Sequence, residues 1–171
     1  SYAFYNCISL ESVVIPDSVV AVGEWAFYKC TSLTSAVCSA GLAEIGDIFS
    51  HCTALKSVVV PQGVTSLKGT FAGCISLASV EIPDSVTTIG ESVFEECSGL
   101  TNMVIPDSVT MIGYGAFAHC TALTDVVISN SVETLDEKAF IKCEALTSIG
   151  IPNSVTKIGK RAFYGCSGLT S

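Results

Sequence analysis

Residues Leu100–Cys120 read LTNMVIPDSVTMIGYGAFAHC, and the same order of residue types returns along the rest of the chain. Cysteines stand at 7, 30, 52, 74, 97, 120, 143 and 166, so successive members are 22 or 23 residues apart. A phenylalanine precedes each by three residues, from Phe4 to Phe163, and a leucine follows each by three, from Leu10 to Leu169. Three columns held in step over eight passes define a tandem repeat, and a period of this size belongs to solenoids. Residues 1–171 form a single array. Complete units start at Leu10, Leu33, Leu55, Leu77, Leu100, Leu123 and Leu146, with partial units at 1–9 and 169–171. The units starting at 33 and 55 are one residue short, each between the Val/Ile/Leu column and the phenylalanine.

Within one unit the pattern is L-x-x-V-x-I-P-D-S-V-T-x-I-G-x-x-A-F-x-x-C. Apolar, mostly β-branched residues at positions 1, 4 and 6 read as a short strand. Proline at position 7 (Pro16, Pro61, Pro83, Pro106, Pro152) has no amide hydrogen for a ladder, so it ends that strand. Asp-Ser or Asn-Ser then supplies turn chemistry. A second short extended piece follows at positions 10–13, and the A-F-x-x-C segment suits a tight or 3₁₀ turn. One unit cannot hide its apolar face, whereas stacked units pair their strands in parallel and merge their Leu, Val, Ile, Phe and Cys columns into one interior. The expected core ladder is Phe27, Phe49, Phe71, Phe94, Phe117 and Phe140 with Cys30, Cys52, Cys74, Cys97, Cys120 and Cys143. The predicted fold is a β-rich repeat solenoid.

The unit resembles the BspA-type leucine-rich repeat, L-x-x-I-x-I-P-x-x-V-x-x-I-G-x-x-A-F-x-x-C, over essentially the whole chain. That resemblance implies a right-handed α/β leucine-rich-repeat type of coil, with a parallel sheet on the concave face and short extended or 3₁₀ segments on the convex side. It also implies display on the surfaces of bacteria and protists, and adhesion or host-protein binding for some members. The second unit departs most, with Cys38-Ser39-Ala40-Gly41 in place of Ile-Pro-Asp-Ser, and the sixth has Ser129 for proline.

Sixteen acidic residues against eight basic ones give a net charge of −8, which disfavours nucleic acid and anionic membranes as partners. No apolar run approaches the ~20 residues of a membrane-spanning helix. Nine cysteines without any C-x-x-C spacing read as buried, reduced thiols serving as small apolar side chains. Cys38 takes a position where other units place Ile or Val, so it too is expected in the core.

No constellation of residues points to catalysis, metal or cofactor binding. His51 and His119 lie three units apart, and each precedes an inward cysteine, so both are expected to point to solvent. Asp17, Asp84 and Asp107 share position 8 with Ala40, Gln62, Asn130 and Asn153, a column that suits turn-forming residues better than a calcium site.

If positions 1, 4 and 6 face inward, positions 3 and 5 face outward on the concave sheet. Position 5 reads Val14, Val37, Val59, Glu81, Val104, Val127, Gly150. That row is either a β-branched ladder or a docking stripe for a protein partner. Trp25 and Tyr28, on the opposite side, are candidate aromatic anchors. The role expected is a non-catalytic scaffold that binds protein, with surface adhesion implied by the resemblance; the alternative is a structural subunit within a large, intracellular assembly. Both ends cut through a repeat, so further repeats or other subunits are expected to cover them.

Overall fold

Each unit makes one coil, and the computed structural model, which describes residues 1–171, stacks the coils so that like positions lie over one another. The first extended piece forms β1 (Ser12–Val14), β2 (Ser35–Val37), β4 (Ser57–Val59), β7 (Asn102–Val104) and β9 (Asp125–Val127). The second forms β3 (Glu44–Ile45), β5 (Ser66–Leu67), β6 (Thr88–Ile89), β8 (Met111–Ile112), β10 (Thr134–Leu135) and β11 (Lys157–Ile158). Every pairing is parallel and joins equivalent positions of neighbouring coils, for example Val14 with Val37 and Ile89 with Ile112. A register fixed by the repeat sends the same columns inward in each coil. The result is a parallel-stranded β-solenoid without a helix.

The second extended pieces pair without interruption in the order β11-β10-β8-β6-β5-β3. Position 13 of this sheet (Ile45, Leu67, Ile89, Ile112, Leu135) is buried, which fixes one side of the ladder to the core. Glycine at position 14 allows the coils to approach. A Cβ at Gly90 would stand 2.6 Å from the Leu67 carbonyl oxygen, and one at Gly159 would collide with the Glu137 nitrogen. Gly90 N–H donates to Leu67 O at 2.9 Å and Gly113 N–H to Ile89 O at 2.8 Å across that close contact. Here the absence of a side chain is what the stacking needs.

The interior is built on the phenylalanine column. From Phe4 to Phe163 each ring stacks on the next, with centroids 5.0–6.3 Å apart and planes within 19° of parallel. Phe49, Phe71, Phe94, Phe117 and Phe140 are wholly buried. A continuous cluster of 42 buried residues runs through the coils.

The A-F-x-x-C segment takes the tight-turn form. Its phenylalanine carbonyl accepts the cysteine N–H three residues on, as in Cys97 N–H to Phe94 O at 3.1 Å. Positions 16 and 20 recur in the left-handed region. Gly69 and Gly115 occupy the first, and Gly73 and Gly165 the second, at no steric cost, whereas Trp25 (φ 56°), Tyr2 (φ 62°), His51 (φ 58°) and His119 (φ 60°) hold it with a side chain.

The P-D-S-V turn closes through its proline carbonyl, which accepts the position-10 amide, as in Val86 N–H to Pro83 O at 3.0 Å and Val109 N–H to Pro106 O at 3.1 Å. The aspartates do not make the expected local turn bonds. Asp17 Oδ1 accepts the amide of Ala40 in the next coil at 3.0 Å, while Asp84 and Asp107 are exposed and make no hydrogen bond within the chain. The following serine binds the coils together: Ser85 donates to Val64 O at 2.7 Å, Ser108 to Val86 O at 2.6 Å and Ser154 to Val132 O at 2.8 Å.

Candidate functional site

The cysteine ladder is a second use of the turn. Seven thiols each donate to a phenylalanine carbonyl of the preceding coil: Cys52 to Phe27 O at 3.1 Å, Cys74 to Phe49 O at 3.2 Å, Cys97 to Phe71 O at 3.1 Å, and so on from Cys30 to Cys166. These side chains are therefore more than small apolar fillers. A weak S–H donor suits a site that must be dry and still offer a proton to a carbonyl. Burial raises Cys38, Cys52 and Cys120 to about 12 and carries Cys74 and Cys97 well above their ordinary value. Cys143 is raised as well, first by its hydrogen bond with Cys166 and then by burial. All nine thiols are free, and those of Cys30 through Cys143 are buried. Protonated and enclosed, the thiols of Cys30 through Cys143 are held away from nucleophilic chemistry, whereas the half-buried Cys166 is drawn down to about 7 by its hydrogen bond with Cys143.

The two histidines are half-buried rather than fully solvated. His51 meets the Tyr28 ring edge-on, with centroids 5.2 Å apart. No three His, Cys, Asp or Glu side chains converge on a point where a metal ion could sit. No helix is long and apolar enough to cross a membrane.

On the face of the first extended pieces, position 5 projects into solvent. Val14 is 70% exposed, Val37 42%, Val59 58%, Val104 65% and Val127 52%. The residue one step earlier turns inward, as Ala36, Met103 and Val126 show. Unlike the second sheet, this face is broken. Its strands pair as β1-β2-β4 and, separately, as β7-β9. The two coils that contribute no strand here carry Glu81 and Gly150 at position 5, where the strand-forming coils carry valine. Ser79–Ile82 and 148–151 make no backbone–backbone hydrogen bond. Valine suits a pleated, half-exposed ladder, whereas glutamate and glycine do not.

The break at Glu81 opens the surface. A cavity of about 630 Å³ lies between the Glu81 coil and the next, bordered by Glu81, Asp84, Asp107, Val104 and Val127. A smaller one of about 310 Å³ lies on the other side, between Val59, Gln62 and Glu81. The chain's ion pairs, Lys68–Glu91, Lys138–Glu137 and Lys157–Asp136, include none of these carboxylates.

On the other side, Trp25 and Tyr28 do not stand alone. Tyr2 and Tyr5 occupy the same positions one coil earlier. The four rings close a circuit with sides of 5.2 Å (Tyr2–Trp25), 6.0 Å (Trp25–Tyr28), 5.2 Å (Tyr28–Tyr5) and 5.6 Å (Tyr5–Tyr2). The 23-residue offset between the two pairs was the signal for Tyr2 and Tyr5. Lys29 Nζ lies 5.3 Å from the centre of the Tyr28 ring.

The model for the BspA type leucine-rich repeat region matches residues 1–70 and 47–170, in six copies. The chain belongs to the BspA-type leucine-rich repeat family. It is similar to the leucine-rich repeat protein of T. pallidum, with 34% identity and a TM-score of 0.88 over 94% of this chain and 78% of that one. It is likewise similar to a leucine-rich cell surface protein from Faecalibacterium prausnitzii, at 32% identity and a TM-score of 0.86 over 95% of this chain and 47% of that one. A leucine-rich repeat protein from Eubacterium ventriosum shares 26% identity at a TM-score of 0.82, over 92% of this chain and 43% of that one. Against these last two structures the BspA-type chain spans less than half the partner's length. Comparison with curated proteins finds no match.

Proposed function

We propose that this chain is a non-catalytic protein-binding scaffold whose docking surface is the valine face, with adhesion at a cell surface as its setting. The observation that carries the reading is the row of Val14, Val37, Val59, Val104 and Val127. These five apolar side chains project from the five strands of this face, on either side of the Glu81 coil, and are between 42% and 70% exposed. A strand ladder alone accounts for valine at these positions. It does not require that the row be free of charge apart from Glu81, or that cavities flank that residue. Exposed apolar surface arranged as one stripe is what a protein partner covers. The four-ring cluster of Tyr2, Tyr5, Trp25 and Tyr28 is a second contact in the same reading, since aromatic rings are the side chains that most often anchor interfaces. The setting draws support from the likeness to the cell surface protein of F. prausnitzii.

The test is the double variant Val59→Lys, Val104→Lys, probed with the polypeptides that co-purify with the full-length protein. Both positions are solvent-facing, so the core columns and the second sheet are expected to hold the fold, at a cost of up to about 1 kcal/mol per site for the lost β-branched residue. Loss of those polypeptides from a folded double variant is the predicted result; unchanged capture places the interface elsewhere.

A further inference from the structure

We infer that the opening around Glu81 is a socket for an arginine side chain presented by the partner protein, an inference that rests on the valine face being the docking surface. Three features meet at this place. The first is space. The roughly 630 Å³ cavity between the Glu81 coil and the Val104 coil lies in the middle of the valine face rather than at its edge, and Glu81 also borders the roughly 310 Å³ cavity on its other side.

The second is a set of unused acceptors. In the paired coils the position-6 amide reaches the neighbouring coil, as in Ile15 N–H to Val37 O at 2.9 Å and Ile105 N–H to Val127 O at 2.9 Å. In the Glu81 coil no such bond forms. The carbonyls of Ser79, Val80, Glu81 and Ile82 have no backbone or side-chain donor within the chain. Groups of this kind need a partner when water is removed from them, because an apolar contact alone would leave them unsatisfied.

The third is charge. Glu81, Asp84 and Asp107 border the larger cavity, no lysine or arginine lines either cavity, and none of the three carboxylates is in an ion pair. An acidic ligand would be repelled here. A wholly apolar one would cover carboxylates and carbonyls without pairing them.

A guanidinium matches all three. It carries five N–H donors and no acceptor, its charge is permanent, and its fork suits carboxylates and carbonyls together. Its aliphatic stem would lie along Val104 and Val127, keeping the charged head toward Glu81, Asp84 and Asp107. An ammonium offers three donors around a point charge and would leave more of the acceptors unpaired. The socket therefore selects arginine over lysine, and a basic over an acidic segment of the partner.

The experiment titrates acetyl-Val-Arg-Val-amide into the ¹⁵N-labelled chain, beside the same peptide with citrulline, which keeps the shape of arginine and lacks its charge. The expected result is saturable shifts of amides in 79–84 and 102–107, with a dissociation constant on the order of 1 mM. The citrulline peptide should bind about tenfold more weakly, the equivalent of one charge-assisted hydrogen bond. Glu81→Gln and Asp107→Asn, which keep side-chain size, should each weaken the arginine peptide several-fold, with the remaining amide signals unmoved. Equal binding of the two peptides, shifts confined to other residues, or affinity untouched by both variants would overturn the socket. If the socket fails while the Val59→Lys, Val104→Lys variant still loses its partner, the valine-face reading stands with another ligand chemistry. If the arginine peptide binds as described while that variant keeps its partner, the socket stands and the valine-face reading falls.

Discussion

The two sheets of this solenoid are built from the same coils at the same period, yet one runs unbroken from β3 to β11 while the other parts at the Glu81 coil and stops short of the Gly150 coil. Position 12 of the continuous sheet tolerates Glu44, Ser66, Thr88, Met111, Thr134 and Lys157. Position 5 of the valine face fails to form a strand with Glu81 or Gly150. The difference lies in what else holds each ladder. In the continuous sheet the inward residue is a buried Ile or Leu from Ile45 to Leu135, a close-approach glycine follows at Gly90, Gly113 and Gly159, and ladder bonds extend past the strand on both sides. Thr87 N–H to Thr65 O and Gly90 N–H to Leu67 O do this for the Glu81 coil itself. On the valine face the inward residue is only half-buried at Val13, Val58, Val80 and Ile149. There the outward side chain decides whether the strand forms. A repeat thus buries its core uniformly and still leaves one face where a single residue type opens or closes the surface.

The largest expected effect strikes both sheets at once, because both rest on the same thiol-lined core. Burial raises the folded-state pKa of Cys38, Cys52 and Cys120 from an ordinary 9.0 to about 12. For groups raised in this way, stability is fully present below pH 9 and is lost as the pH climbs from 9 through about 12, where the unfolded chain alone is ionised. Urea midpoints taken from pH 7 to 11 should hold steady to about 9 and then fall; a flat profile would contradict the protonated ladder. Next comes a contrast inside one coil. Ile89→Ala, in the continuous sheet, should cost about 2–5 kcal/mol, and Val80→Ala, behind the gap, clearly less. Equal costs in denaturant unfolding would erase the distinction between the faces.

A smaller effect belongs to the serine braces. Ser108→Ala removes the donor to Val86 O and should cost about 1 kcal/mol, again measured by denaturant midpoint. The smallest is a gain. Glu81→Val supplies the residue that every strand-forming coil carries at position 5 and should stabilise the chain by a few tenths to about 1 kcal/mol. It should also pair β4 and β7 through the intervening coil and close the cavity beside it. A variant as open as the parent would show that position 5 is not what breaks the sheet.

Much of this architecture was legible in the sequence, for a reason particular to repeats. A column of Phe or Leu at constant spacing places the same side chain at the same depth in every coil, so periodicity alone locates the core. The valine row and its exposure followed from the same alternation. What escaped was whatever depends on how closely neighbouring coils approach. The thiol–carbonyl bonds from Cys52 to Phe27 and its counterparts need a cross-coil distance that no single unit reveals. Asp17 reaches the next coil's Ala40 amide rather than its own turn for a similar reason. The gap at Glu81 shows in the sequence only as a break in the valine column, which does not by itself reveal that the neighbouring strands part there. Tyr2 and Tyr5 were hidden by their place in a partial unit, although they sit one period before Trp25 and Tyr28.

Residue-resolved amide hydrogen exchange on the unmodified chain tests most directly the contrast between an unbroken and an interrupted ladder. Slow exchange is predicted for the amides of Thr87, Gly90, Thr110, Gly113 and Asp136, together with fast exchange for Ser79–Ile82 and for 148–151. Uniform protection along the whole valine face, with Ser79–Ile82 as slow as Ile105, would contradict it.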